Sequence, residues 1–191
     1  YLFAAAAAAA ARALLDEGRA VQARRQAESA LEARSTSVAL TMAMAKCLRS
    51  EGRFSEALAI LRPGLRRYYA GVATPGATGL LAEAARSLVG RGRLDRAAET
   101  AAAAVAAARN LREQLTAGGA VAFVAASKGD LRGLVAESKR LAPLFTSAGK
   151  NSASLALLLC YAAEVGGDPR RIDSAVGRAE EALFRIPHER R

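Results

Sequence analysis

Five residues share one place in an internal rhythm of the chain. Arg12, Lys46, Arg86, Phe123 and Tyr161 each stand six residues before a glycine that follows a helical run. Cations bind phosphates and aromatic rings stack on bases, so three cations followed by two aromatics along one groove would suit a single-stranded nucleic acid. The plainer alternative is that Phe123 and Tyr161 pack in the core and the cations are merely solvated. A second candidate is the run Arg66-Arg67-Tyr68-Tyr69. Basic and aromatic groups side by side can neutralise a phosphate and stack a base. The same run would equally suit the negative end of a helix dipole and cover a seam between repeats. The pairs Arg24-Arg25, Lys139-Arg140 and Arg170-Arg171 fall on other helical runs and read as outward, solvated charge.

Catalytic chemistry has little to draw on. The single histidine, His188, is near the end of the chain, and no His/Cys/Asp/Glu group has metal-ligand spacing. Cys47 and Cys160 have no CxxC context and read as buried core thiols. The GRGR at 90–93 is too short for a phosphate loop and lies between helical runs, not after a strand. The expectation is therefore a protein that is not an enzyme and needs no cofactor or metal.

The charge points elsewhere. The formal net charge is +10, and residues 1–112 hold 17 basic and 9 acidic residues against 11 and 9 in 113–191. An extended anion would be steered to the first part of the chain. Arginine outnumbers lysine 24 to 4. A GC-rich coding genome produces that bias by itself, so the net charge is the firmer signal. The apolar stretches 3–11, 101–108 and 152–163 all fall short of the roughly 18 residues that cross a bilayer. The chain opens at Tyr1 without Met, so any targeting segment is expected upstream.

The elements that must position these residues follow from the glycines. Gly18, Gly52, Gly92, Gly129 and Gly167 each separate two helical runs, at spacings of 34, 40, 37 and 38. That is the signature of a tandem helical-hairpin array. Each glycine supplies a left-handed turn, and the second helix starts at once, capped at Asp130 and Asp168, with Pro169 suited to a first turn. First helices are predicted near 2–17, 37–51, 77–91, 113–128 and 151–165, and second helices near 19–33, 53–69, 93–108, 130–147 and 169–185. Gly118 and Gly119 are expected to loosen or delay the start of the fourth hairpin. Small residues seven before each glycine (Ala11, Ala45, Ala85, Ala122, Cys160) and five after (Ala23, Ala57, Ala97, with Leu134 and Ile172) let the paired helices approach closely. Leu14, Leu48, Leu88, Ala125 and Ala163, four before, fill the gap between hairpins. The fold expected is all-α, a right-handed superhelical array of about five helix-turn-helix repeats near 1–35, 36–72, 77–111, 112–148 and 151–187. It forms one solenoid domain over 1–191, with the first helices on its concave surface.

Tetratricopeptide and pentatricopeptide repeats share this architecture. The tetratricopeptide pattern wants aromatics in both helices and a proline late in the second; here the sites are mostly Leu or Ala and that proline is missing. Residues 48–58 (LRSEGRFSEAL) resemble the pentatricopeptide pattern, and 88–97 (LVGRGRLDRA) do so less completely. The resemblance covers about 35–110. It implies a plant or algal organellar RNA-binding protein, with single-stranded RNA as partner. The chain's size and the Tyr pair after ALAILRPGLRR are similar to short members that assist chloroplast splicing, which makes a group II intron the expected target. The departure is ten residues before each glycine. The residues there, Ala8, Met42, Ala82, Gly119 and Leu157, cannot read a base edge, so no one-base-per-repeat code is expected. The alternative function is a tetratricopeptide-like scaffold holding a peptide or protein in an apolar concave groove lined by Ala8, Met42, Ala82 and Leu157. A homodimer through an exposed end, such as the apolar 153–163, is also expected to be accessible.

Overall fold

A computed structural model of the chain describes residues 2–33 and 37–147. Eight helices are present and no strand occurs among the described residues: α1 (Leu2–Asp16), α2 (Ala20–Ala33), α3 (Val38–Ser50), α4 (Phe54–Tyr69), α5 (Ala77–Gly90), α6 (Leu94–Ala107), α7 (Leu111–Ser127) and α8 (Leu131–Ser147). They agree with the predicted spans to within about two residues at nearly every end. The expected fifth hairpin, with Leu157, Cys160, Tyr161, Ala163, Gly167, Asp168, Pro169 and Ile172, lies outside the described residues. The chain divides into two compact units, 1–107 and 108–191.

Each described hairpin closes by the same bonds. Gly18, Gly52, Gly92 and Gly129 have φ between 69° and 76°. The amide after each glycine donates to the carbonyl five residues back: Arg19 to Leu14 at 2.8 Å, Arg53 to Leu48 at 2.8 Å, Arg93 to Leu88 at 2.9 Å, Asp130 to Ala125 at 2.9 Å. Each glycine amide donates to the carbonyl three residues back, completing a Schellman turn that satisfies the last carbonyls of the first helix. The second helix of the fourth hairpin is capped as expected: Asp130 Oδ1 accepts from the Gly133 amide at 2.9 Å.

Packing within a hairpin follows the small-residue register. Ala11, Ala45, Ala85 and Ala122 are fully buried, and so are Ala23, Ala57, Ala97 and Leu134. The second helices bury two further positions. Nine residues after each glycine stand Ala27, Leu61, Ala101 and Ser138, and twelve after stand Ala30, Gly64, Ala104 and Leu141; all but Gly64 are buried. Gly64 is small for a reason, since a Cβ there would stand 2.7 Å from Leu80 of α5.

In the first unit α1 packs on α3 and α3 on α5, while α2 also touches α3 and α4 also touches α5. The second helices α2, α4 and α6 do not touch one another. The first helices therefore form the tighter, inner layer and the second helices the splayed, outer one. The core runs through this unit from Ala4 of α1 to Ala84 of α5. In the second unit α7 pairs with α8 around Ala122, Ala125 and Leu134.

One expectation fails at α7. Gly118 and Gly119 do not delay the helix, which begins at Leu111 and runs through both. The Asn110 side chain accepts from the Glu113 amide at 3.0 Å, and Glu113 accepts from the Arg109 amide at 2.8 Å. This reciprocal cap starts the helix before the glycines are reached. Gly118 is a contact residue, because a Cβ there would run into Leu141 of α8.

The turn geometry gives a clean test. A Cβ at Gly52 would meet no atom within 4 Å, but φ is +75°. Gly52→Ala should lower stability by about 1–2 kcal/mol through backbone strain alone. Thermal unfolding followed by circular dichroism should show the lower Tm; an unchanged Tm would mean that the left-handed turn is not what closes the hairpin.

Candidate functional site

The inner layer of the first unit keeps one stripe of each first helix out of the core. On α1 the exposed residues include Ala5, Ala9 and Arg12. On α3 they are the half-buried Met42, Lys46 and Arg49. On α5 the half-buried Gly79, Glu83 and Arg86 stay out of the core. The spacings of three and four follow from about 3.6 residues per turn. Arg12, Lys46 and Arg86 thus occupy one register on three adjacent helices.

The stripe's chemistry differs from a plain row of cations. Arg86 donates to Glu83 Oε1 at 2.8 Å, and Arg49 donates to Glu83 Oε2 at 3.3 Å. One carboxylate therefore joins α3 to α5 and holds both guanidinium groups in place. Arg12 donates back to the Ala8 carbonyl at 3.2 Å, along its own helix. Lys46 also takes part in a polar or electrostatic interaction. Arg49 and Glu83 were not singled out from the sequence. They stand three and nine residues before their own glycines, so the repeat register gave no signal that they meet.

The apolar groove is not built as expected. Ala8 and Ala82 are buried in the core, and Met42 lies against Gly79, whose missing Cβ leaves room for the sulfur. Four residues of helix turn about 400°, so the positions ten and six before a glycine differ by about 40°. That is enough to put Ala8 and Ala82 under the neighbouring helix while Arg12 and Arg86 reach solvent. Leu157 lies outside the described residues.

Phe123 is on α7 of the second unit and is 38% exposed, so it is a surface ring and not a core residue. Tyr161 lies outside the described residues.

Arg66-Arg67-Tyr68-Tyr69 forms the last turn of α4. Tyr68 and Tyr69 meet edge to face, with ring centroids 5.2 Å apart and planes at 73°. Tyr69 is 64% exposed. Arg66 and Arg67 are exposed, and so is Arg62 one turn earlier, which the sequence reading passed over. The helix ends in a further left-handed turn at Gly71, where Val72 donates to Arg67 at 3.0 Å.

Other charges are structural. Arg24, expected to face outward with Arg25, instead bridges hairpins: it donates to Glu51 at 3.0 Å and to Glu28 at 3.0 Å. Glu51 also accepts from Arg53 at 3.3 Å, and Arg53 clamps Glu56 at 2.6 Å, which holds the Glu56 carboxyl below its ordinary range. Arg140 is paired with Glu137 along α8. Arg170-Arg171 lies outside the described residues. No helix among the described residues is long and apolar enough to cross a membrane, and no group of three or more potential metal ligands occurs among them.

Comparison with known proteins matches this geometry. Residues 14–70 match the tetratricopeptide repeat family. The nearly identical TPR-like repeats of a Podosopora anserina protein described as a kinesin light chain, solved by crystallography, superpose with a TM-score of 0.62. The match covers 96% of each chain at 13% sequence identity, so the likeness is one of fold. The fold is a TPR-like helical-repeat solenoid. No curated protein matches the sequence. The segment 48–58 that resembles the pentatricopeptide pattern lies inside the stretch matched as tetratricopeptide. The glycine turn and small-residue register are common to both patterns, so they carry the architecture without separating the two.

Cys47 is a buried free thiol, as its sequence context suggested. Burial, aided by nearby Glu51, pushes its pKa up to about 11 from an ordinary 9. The folded state favours the neutral thiol, so this contribution to stability is whole below pH 9 and is lost as pH rises towards 11. In a Cys160→Ser background, Cys47 should resist a thiol reagent at pH 8 until the chain is unfolded by urea. Rapid labelling of the folded protein would contradict the buried assignment.

Proposed function

We propose that the chain is a non-catalytic helical-repeat scaffold whose inner layer of first helices holds an acidic, extended segment of a partner protein. The observation that supports this reading most is the composition of the exposed stripe. The stripe carries four cations, Arg12, Lys46, Arg49 and Arg86, and one acid, Glu83, which pairs with Arg49 and Arg86, along with Ala5, Ala9, Met42 and Gly79. The small, exposed Ala5 and Ala9 let a partner backbone come close to α1. Guanidinium forks donate two parallel hydrogen bonds to a carboxylate. Glu83 fixes Arg49 and Arg86 between α3 and α5, and its own charge competes with an acidic partner for them.

A peptide suits this wall better than RNA. None of the stripe residues named on α1, α3 and α5 is aromatic, so a base has no ring to stack on there. The reading as an organellar RNA-processing protein therefore draws nothing from the wall of the first unit beyond its positive charge.

The test is a titration of a fluorescent Glu/Ala peptide followed by anisotropy. Arg12→Glu/Lys46→Glu should weaken binding at least tenfold, roughly the effect of losing two charge-assisted contacts. Arg25→Glu/Arg96→Glu makes the same change in net charge on second helices and should have a much smaller effect. Equal losses in the two variants would reduce the wall to general electrostatic attraction and overturn the proposal. Glu83→Gln removes the only acid on the stripe. It should tighten peptide binding several-fold while lowering stability by about 1 kcal/mol through loss of the α3–α5 link, read as a lower Tm in the same preparation. Unchanged affinity would show that the peptide does not meet this stripe.

A further inference from the structure

The last turns of α4 carry a second charged surface that the inner wall does not use. From residue 57 to 82 the sequence has no acidic residue, yet it holds Arg62, Arg66 and Arg67. All three are exposed, and among the described residues none has an ion-pair partner. Arg24, Arg49, Arg53 and Arg86 of the same unit are, by contrast, engaged by glutamates. Arg62, Arg66 and Tyr69 follow one another at spacings of four and three, so they form a single stripe along the solvent face of α4. Tyr68 is half-buried and holds Tyr69 edge to face. That contact restrains the Tyr69 ring while leaving it 64% exposed.

We infer that this stripe is a docking site for single-stranded nucleic acid, with Arg62, Arg66 and Arg67 on phosphates and Tyr69 as a stacking platform for one base. Helix-dipole compensation accounts for Arg66 and Arg67 in the last turn but not for Arg62 two turns from the end, nor for an exposed, restrained ring. An acidic peptide would use the arginines and leave the ring idle. Unpaired guanidinium groups beside an open π-face match a chain that alternates phosphates and bases. The stripe lies on a second helix, away from the inner layer, so this site is independent of the peptide wall.

The experiment measures anisotropy of a labelled 20-nucleotide oligouridine across a salt series with the full chain. Tyr69→Ala should weaken binding about tenfold without changing the salt slope, as expected for the loss of one stacked base. Arg62→Gln/Arg66→Gln/Arg67→Gln should reduce the slope of log K against log salt by about 2, the release expected for three single-strand phosphates. Both sets of residues are exposed, and an unchanged circular-dichroism melt confirms that the variants fold. Arg12→Gln/Lys46→Gln, which cripples the wall, should keep the Tyr69-dependent loss intact, so the two proposals stand or fall separately. An affinity indifferent to Tyr69, or equal affinity for a duplex of the same length, would overturn the stacking site. Binding to phosphatidylserine vesicles with none to oligouridine would overturn it as well, by assigning the stripe to a lipid surface.

Discussion

Two helices can lie close along their whole length only where neither presents a long side chain to the other, and that steric condition organises the first unit. Ala11, Ala45 and Ala85 meet it on the first helices, and Ala23, Ala57 and Ala97 on the second. The left-handed glycine between them reverses the chain within a few residues, so the two alanine faces are held against each other as soon as they form. Replacing either alanine by a large residue would not simply crowd one site. It would separate the helices of that hairpin and shift the seams on both sides of it.

A core of methyl groups buries little area per residue, and the hairpins need other ties. Some come from larger side chains at the seams: Leu40, Leu48, Leu61, Leu80 and Leu81 are all buried. Others come from charge. Arg24 reaches Glu51 across one hairpin boundary, and Arg49 reaches Glu83 across the next. These bridges are half-exposed and individually modest. Their larger effect is on the surface they leave behind. With the pairs of Arg19, Arg53 and Arg86 they engage Glu17, Glu28, Glu51, Glu56 and Glu83, which leaves arginines such as Arg12, Arg62, Arg66 and Arg67 facing solvent without a glutamate partner among the described residues.

Much of the fold was legible because its governing residues are local. A glycine with an alanine seven before and five after needs no long-range information to predict a hairpin, and the repeat supplies the rest. Gly118 and Gly119 misled because glycine serves two purposes: at Gly52 it frees the backbone, at Gly118 it makes room for Leu141. The cap at Asn110 and Glu113 was the signal that separates them. The candidate site was harder. The register of Arg12, Lys46 and Arg86 could be counted along the chain, but the 40° that buries Ala8 and Ala82 depends on how closely the next helix packs. The sharing of Glu83 by Arg49 and Arg86 joins residues 34 apart, and only the stacking of α3 on α5 reveals it. Arg62 was missed because it was read outside the Arg-Arg-Tyr-Tyr run, although a helix places it beneath Arg66.

The central claim is that the first-helix layer is a binding wall for an acidic chain. Hydrogen exchange with mass-spectrometric readout, with and without a saturating Glu/Ala peptide, tests it most directly. The account predicts added protection in 38–50 and 77–90, the spans of α3 and α5, with little change in 94–107 of α6. Protection confined to second helices, or spread evenly over the chain, would contradict it.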